Sequence, residues 1–251
     1  MIVTLSPAKT LDYVTPLPQV TPTEPRFGPE ALVLAQAASR LGKKRLADLM
    51  DISDKLATLN AERFKAFETQ VERPALFAFA GDVYTGFDAK SLDAPAIDFA
   101  QNHVRMLSGL YGLLRPLDSM RPYRLEMGTR WAPRRKSLYS YWGTRIADML
   151  AGDVTEEGSG VVLNLASQEY WHAVAGKLPK GVRVIDVDFR EPGPNGPRFI
   201  SFNAKRARGM MARWMCEHRI ESVEDMRNFD SDGYRFVSPE SDANRWMFSR
   251  A

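Results

Sequence analysis

The spacing of apolar residues changes several times along the 251-residue chain, and each change marks an element. Residues 1–5, MIVTL, form an apolar run stopped by Ser6-Pro7, which predicts a short strand. Residues 15–29 hold five prolines among polar residues and suit an extended surface segment. From Glu30 the pattern turns helical: ALVLAQAASRL ends at Gly42, and LADLM restarts after Lys43-Lys44-Arg45. Residues 75–80, ALFAFA, predict a buried strand ending at Gly81, and DFAQNHVRMLSGLYG predicts a helix closed by Gly109 and Gly112.

Residues 161–165, VVLNL, the helix-like SQEYWHAVAGKL, and residues 182–189, VRVIDVDF, make a β-α-β unit of about 30 residues, the length of a parallel crossover. Strands alternate with helices without a recurring period. The expectation is a mixed α/β (α+β) fold in one domain, residues 1–251, built on a mixed sheet.

Residues 198–202, RFISF, alternate like a strand, and Asn203 is a favoured N-cap, which predicts a helix from Ala204. At about 100° per residue, Ala207, Met210, Met211, Trp214 and Met215 share one arc, while Lys205, Arg206, Arg208 and Arg213 spread over the other. The helix macrodipole disfavours cations in the first turn unless an anion binds there. Gly209 and Ala212 fall amid the basic arc, where either a phosphate or a packed backbone could come close.

Charge sharpens this picture. Lys and Arg number 34 against 31 Asp and Glu, a net +3, yet residues 121–145 carry seven basic side chains against Glu126 alone. Residues 203–219 carry five against Glu217. Tyr123, Trp131, Tyr139, Tyr141, Trp142 and Trp214 are interleaved with these cations, a combination that suits nucleic acid as well as an ordinary amphipathic surface.

Residues 46–60, LADLMDISDKLATLN, within a segment 40–66, follow the register of a helix-hairpin-helix centred on Ile52. That motif offers backbone N–H groups and a helix N-terminus to a phosphate, with Lys55 as an added cation. Asp51 and Ser53 stand at the flanks where glycine is usual. Asp51 tolerates left-handed geometry and Ser53 can cap the second helix, but two aspartates here repel phosphate.

Seven strings in order, SPAKTLD (6–12), ISDKLATLNAERF (52–64), GDVYTGF (81–87), RMLSGLYGLLRPLD (105–118), PYRLEMGTR (122–130), NLASQEYW (164–171) and AKRARGMMARW (204–214), closely resemble the YaaA family of bacterial peroxide-stress proteins. The resemblance implies a cytoplasmic protein that limits oxidative damage to DNA and is tied to control of intracellular iron. It also implies a mixed α/β DNA-binding fold with a helix-hairpin-helix at Asp51 to Asp54 and a basic cleft that includes Lys9, Arg124, Lys205 and Arg208. With Lys55, Arg121, Ser167, Arg206 and Arg213, these make the expected contact set for duplex or partly unpaired DNA.

An enzyme acting on a nucleobase, nucleotide or other small anionic ligand is the alternative. Polar residues follow four apolar runs: Ser6 and Lys9; Asp82 and Tyr84; Asn164, Ser167 and Glu169; Asn203 and Lys205. Strand ends of α/β folds are where ligands sit, so these ends can converge on one pocket, joined by Arg124 and Glu126. Glu126 and Glu169 are the candidate carboxylates for stabilising positive charge or accepting a proton, and Lys9 or Lys205 the candidate amine or phosphate ligand.

His103, His172 and His218 fall in no ligand spacing, so no metal site and no cofactor are expected. Asp186 and Asp188 alternate on a strand beside Arg183 and Arg190, which favours ion pairing over metal binding. The one cysteine, Cys216, excludes an internal disulfide; it is either a buried inert thiol or, on the basic face, a peroxide-sensitive one. No apolar run approaches the roughly 18 residues of a membrane span and no secretory segment opens the chain, so a cytoplasmic protein without a membrane partner is expected.

Overall fold

The computed structural model describes residues 1–194 and 196–250. Strand β1 (Ile2–Leu5) is followed by helices α1 (Gly28–Ser39), α2 (Gly42–Met50) and α3 (Asp54–Lys65). A short β2 (Arg73–Pro74) and helices α4 (Ala75–Ala78), α5 (Asp82–Phe87) and α6 (Ala94–His103) lead into β3 (Val104–Ser108), β4 (Gly112–Leu114) and β5 (Ser119–Met120). Helices α7 (Leu138–Trp142) and α8 (Arg145–Glu157) precede β6 (Val161–Asn164), α9 (Gln168–Trp171) and β7 (Arg183–Arg190). The 18-residue α10 (Ser201–His218), β8 (Tyr234–Phe236) and β9 (Arg245–Arg250) complete the chain.

Seven strands make one mixed sheet in the order β4-β3-β1-β6-β7-β9-β8, and β2 pairs with β5 in a small antiparallel ribbon. The five inner strands run parallel, and β4 and β8 close the edges antiparallel. The middle of the sheet is covered on both faces, as parallel sheets require: β1 and β3 are buried at every position, Thr4, Arg105 and Ser108 included. The chain leaves β1 for β3 on one side and later returns to β6 on the other. The boundary between β1 and β6 is therefore the topological switch point, outside whose C-terminal ends ligands bind in open parallel sheets.

The mixed α/β expectation holds, and the β-α-β unit is present as β6, α9 and parallel β7 with Val162 opposite Val184. Three predicted elements take another form. ALFAFA is not a strand: residues 75–78 make one helical turn, anchored by Ala75 N–H to the Asp118 carbonyl and Leu76 N–H to that of Pro116. A run apolar at every position carries no period, so burial on all sides fits a helical turn as well as a strand.

The predicted helix from Asp98 to Gly112 ends at His103, where Val104–Ser108 pairs with β1 as Val3 opposite Val104. RFISF forms no strand: Arg198 makes an isolated bridge to Glu191, and α10 begins at Ser201 without a side-chain cap, so Asn203 lies inside the helix.

Candidate functional site

The loops after β1 and β6 meet through Ser6. Its hydroxyl oxygen accepts the Ser167 N–H at 2.8 Å and contacts the Ser167 hydroxyl at 3.2 Å, while its carbonyl accepts the Tyr84 hydroxyl at 3.0 Å. Beneath them, Asn164 ties three strands together: its Oδ1 accepts from Thr4 Oγ1 at 3.1 Å and its Nδ2 donates to Asp186 at 2.7 Å. These buried polar contacts fix where both strand ends point.

Helix α10 supplies the opposite wall. Ala204, Ala207, Met211, Ala212 and Met215 are buried, and α10 crosses α5 so tightly that a Cβ on Gly209 would sit 1.8 Å from the Val83 carbonyl oxygen and one on Gly86 2.1 Å from that of Arg206. The small residues amid the basic arc thus admit a neighbouring helix. The crossing brings Asp82 within 3.9 Å of the Lys205 ammonium.

Between these walls lies a cleft of about 430 Å³ lined by Ser6, Lys9, Asp82, Glu126, Ser167, Glu169, Tyr170, Lys205 and Arg208. Of the strand-end candidates, Ser6, Lys9, Asp82, Glu126, Ser167, Glu169 and Lys205 meet in it, while Tyr84, Arg124, Asn164 and Asn203 stand outside its lining. Lys9 is 3.5 Å from Glu126, whose Oε1 also accepts Arg124 Nε at 3.0 Å. Glu169, in the first turn of α9, accepts the Gly128 N–H at 2.9 Å. Burial pulls the Arg208 guanidinium below its ordinary pKa, against the field of Asp188. Arg208 and Glu126, which line this cleft, each carry one atom shut off from solvent and without a hydrogen-bond partner among the described residues, Nε and Oε2 respectively. With Lys9, Lys205 and Arg208 set against Asp82, Glu126 and Glu169, its formal charge is balanced.

The remaining expected contact residues scatter. Arg121 pairs with Glu72 at 2.8 Å and lies over the Phe67 ring. Arg213 donates to the carbonyls of Phe87 and Asp88 at the end of α5 and pairs with Glu217. Arg206 is exposed on α10 outside the cleft lining, and Lys55 is exposed on α3.

A sequence model of the family described as peroxide stress protein YaaA matches residues 1–240. The chain belongs to the YaaA peroxide stress protein family. A UPF0246 protein of Rhizorhabdus wittichii is 63% identical over 249 residues, covering 99% of this chain and 98% of the relative. UPF0246 proteins of Aliivibrio fischeri and Hahella chejuensis are 48% and 47% identical over 255 residues, each covering 100% of this chain and 98% and 99% of the relative.

In this YaaA family member the segment 40–66 is a pair of helices joined at Asp51 to Ser53. Asp51 adopts the left-handed conformation (φ 48°), and the Ser53 hydroxyl accepts the Leu56 N–H at 3.4 Å. Asp54, which would repel a phosphate, pairs with Lys43. Next to the pair, the end of α1 and the loop before α7 enclose an open groove of about 720 Å³ lined by Arg40, Arg134, Arg135, Tyr141 and Arg145.

Arg145 is committed: it stacks on Tyr141 and Trp142 and lies 3.5 Å from Glu30. Arg40, Arg134 and Arg135 are exposed and have no carboxylate within 4.0 Å among the described residues. Arg134 is held at φ 58°, left-handed backbone that costs a non-glycine residue about 1 kcal/mol. Arg134 and Arg135 stand outside the expected contact set. Their signal in the sequence is the stretch 130–136, four cations without an acid.

Cys216 is fully buried and its thiol is pushed up by burial, so the peroxide-sensitive alternative does not fit. Asp188 pairs with Arg190 and Arg245. Among the described residues, no three His, Cys, Asp or Glu side chains are grouped to hold a metal ion, and no helix is long and apolar enough to cross a membrane.

Proposed function

We propose that this chain serves the peroxide stress response by binding DNA through its phosphate backbone, protecting it from oxidative damage and linked to lower intracellular iron. The observation that carries the reading is the groove in which Arg40, Arg134 and Arg135 stand without compensating carboxylates. Cations left unpaired at a surface favour a polyanion, because each phosphate they neutralise releases condensed counterions. The left-handed Arg134 adds to this, since it is a strained conformation that presents a charge to solvent. The cleft at the switch point carries as many carboxylates as cations and contributes less to such a grip.

Backbone contacts confer little sequence preference, so affinity for duplex and for partly unpaired DNA falls with salt. For an Arg134→Ala, Arg135→Ala double variant, the log-log salt slope on duplex DNA should shrink by about 1.8, near 0.9 for each phosphate no longer neutralised. Fluorescence anisotropy across a salt series measures it. Unchanged affinity and slope would remove the groove from the interface. In cells, the same variant should fail to restore peroxide survival and low iron to a deletion strain.

A further inference from the structure

We propose that the switch-point cleft is a binding site for a phosphomonoester whose other end carries hydroxyl or amino donors, with the phosphate on Lys205 and Arg208 and the donors on Glu126 and Glu169. The site is separate from the arginine groove, and the proposal does not depend on DNA binding.

Arg208 is mostly buried and its Nε is unpartnered, while Glu126, 14% exposed, has an unpartnered Oε2. Both line the same cleft, one a donor and the other an acceptor. A cleft that presents an ammonium and a guanidinium from one helix and carboxylates across from them fits a ligand that accepts hydrogen bonds at one end and donates them at the other.

The anionic end is assigned from α10, where Lys205 and Arg208 stand three residues apart and so share one helical face. Two cations against one group match a dianion better than a carboxylate, and a guanidinium offers paired N–H donors to phosphate oxygens. Asp82, 3.9 Å from Lys205, and Asp188, whose field reaches Arg208, hold these cations in place without neutralising them through close pairing. At the far end Glu126 and Glu169 are acceptors for hydroxyl or amino hydrogens, with Lys9 beside Glu126 and Tyr170 as an apolar wall.

A nucleic-acid backbone is disfavoured here, because three carboxylates would face its phosphates. The cleft, about 430 Å³, has the size of a small-molecule site and lies where parallel sheets bind mononucleotides. Nucleotides and sugar phosphates share this chemistry.

Calorimetric titration of the full chain with adenosine 5′-monophosphate, ribose 5-phosphate, adenosine and inorganic phosphate separates the sources. At least one of the two phosphorylated ligands should bind about tenfold more tightly than inorganic phosphate, and adenosine should bind about tenfold more weakly than its monophosphate. Preference for the monophosphate marks a nucleotide site; equal affinity or preference for ribose 5-phosphate marks a sugar phosphate site. Glu126→Gln should weaken the preferred ligand about tenfold while inorganic phosphate binds as well or better, since a nearby negative charge is gone.

Arg208→Gln and Lys205→Gln should weaken all phosphorylated ligands. Lys205 is half-exposed, so its variant tests the assignment if Arg208→Gln does not fold. The proposal is overturned if inorganic phosphate binds as tightly as the tighter of the two phosphorylated ligands, if none binds at about 10 mM, or if Glu126→Gln changes all affinities alike. The Arg134→Ala, Arg135→Ala protein should retain this binding, so the two sites fail independently.

Discussion

His103 ends α6 with its ring stacked on Phe99, centroids 4.0 Å apart, and its Nδ1 in contact with the Met1 carbonyl at 3.1 Å. A carbonyl only accepts, so Nδ1 carries the proton. Burial lowers the pKa of this imidazole below 6.5; the Met1 ammonium adds to the shift, and the Met1 carbonyl, Glu157 and Glu221 oppose it. A histidine with a depressed folded pKa takes up its proton more readily in the unfolded chain. It therefore contributes stability above about pH 6.5 that is lost as pH falls toward the folded value. Thermal melts between pH 7.5 and 5.5 should show a smaller acid-side decline in Tm for His103→Gln than for the parent; parallel declines would contradict this.

Cys216 is governed by the same physics at a different group. Fully buried, with a thiol that burial keeps protonated, it should resist iodoacetamide and peroxide in the native protein and react once the chain is unfolded. Mass spectrometry of the labelled protein reads this directly. From sequence its wheel angle left two environments open, because the angle reports a direction on the helix and not what lies there.

At the scale of elements, the crossing of α5 and α10 sets the geometry of the cleft. In a solvated helix, replacing glycine by alanine stabilises by about 1 kcal/mol. At Gly209 the added methyl would meet the Val83 carbonyl oxygen at 1.8 Å, so the helices must separate. Gly209→Ala should destabilise by about 2 kcal/mol, as overpacked cores do, and denaturant unfolding checks it. The sequence showed glycine and alanine among cations and allowed either an anion or a backbone to approach. The partner glycine, Gly86, lies more than a hundred residues away, and no local pattern connects the two. The α2–α3 turn was easier to read, because Asp51 and Ser53 act on their own neighbours.

At the scale of the whole molecule, β9 joins the edge strand β8 to the rest of the sheet. β9 lies between β7 and β8, pairs with both, and buries Trp246 and Phe248 completely. Ending the chain after Glu240 would strip β7 of a partner and remove two large core side chains, each worth about 3–5 kcal/mol. That loss approaches the total stability of an ordinary domain, so the truncated chain should lose its cooperative thermal transition by circular dichroism. A retained transition at the parent temperature would show that β9 is dispensable.

The sequence by itself determined what depends on neighbours within a few residues: the apolar runs of β1, β6 and β7, the α2–α3 turn, the amphipathic α10, and the four polar clusters placed after apolar runs. Tertiary structure alone decided the helical turn at ALFAFA, the strand within the apparent helix 98–112, and which cations are compensated. Arg121, Arg124 and Arg213 looked as available as Arg134 and Arg135, yet the first three sit within ion-pairing distance of Glu72, Glu126 and Glu217. Charge and periodicity are local properties of a chain. Pairing, burial and the meeting of Lys9, Glu126, Glu169 and Arg208 in one cleft depend on distances between segments far apart in sequence, which only the folded topology sets.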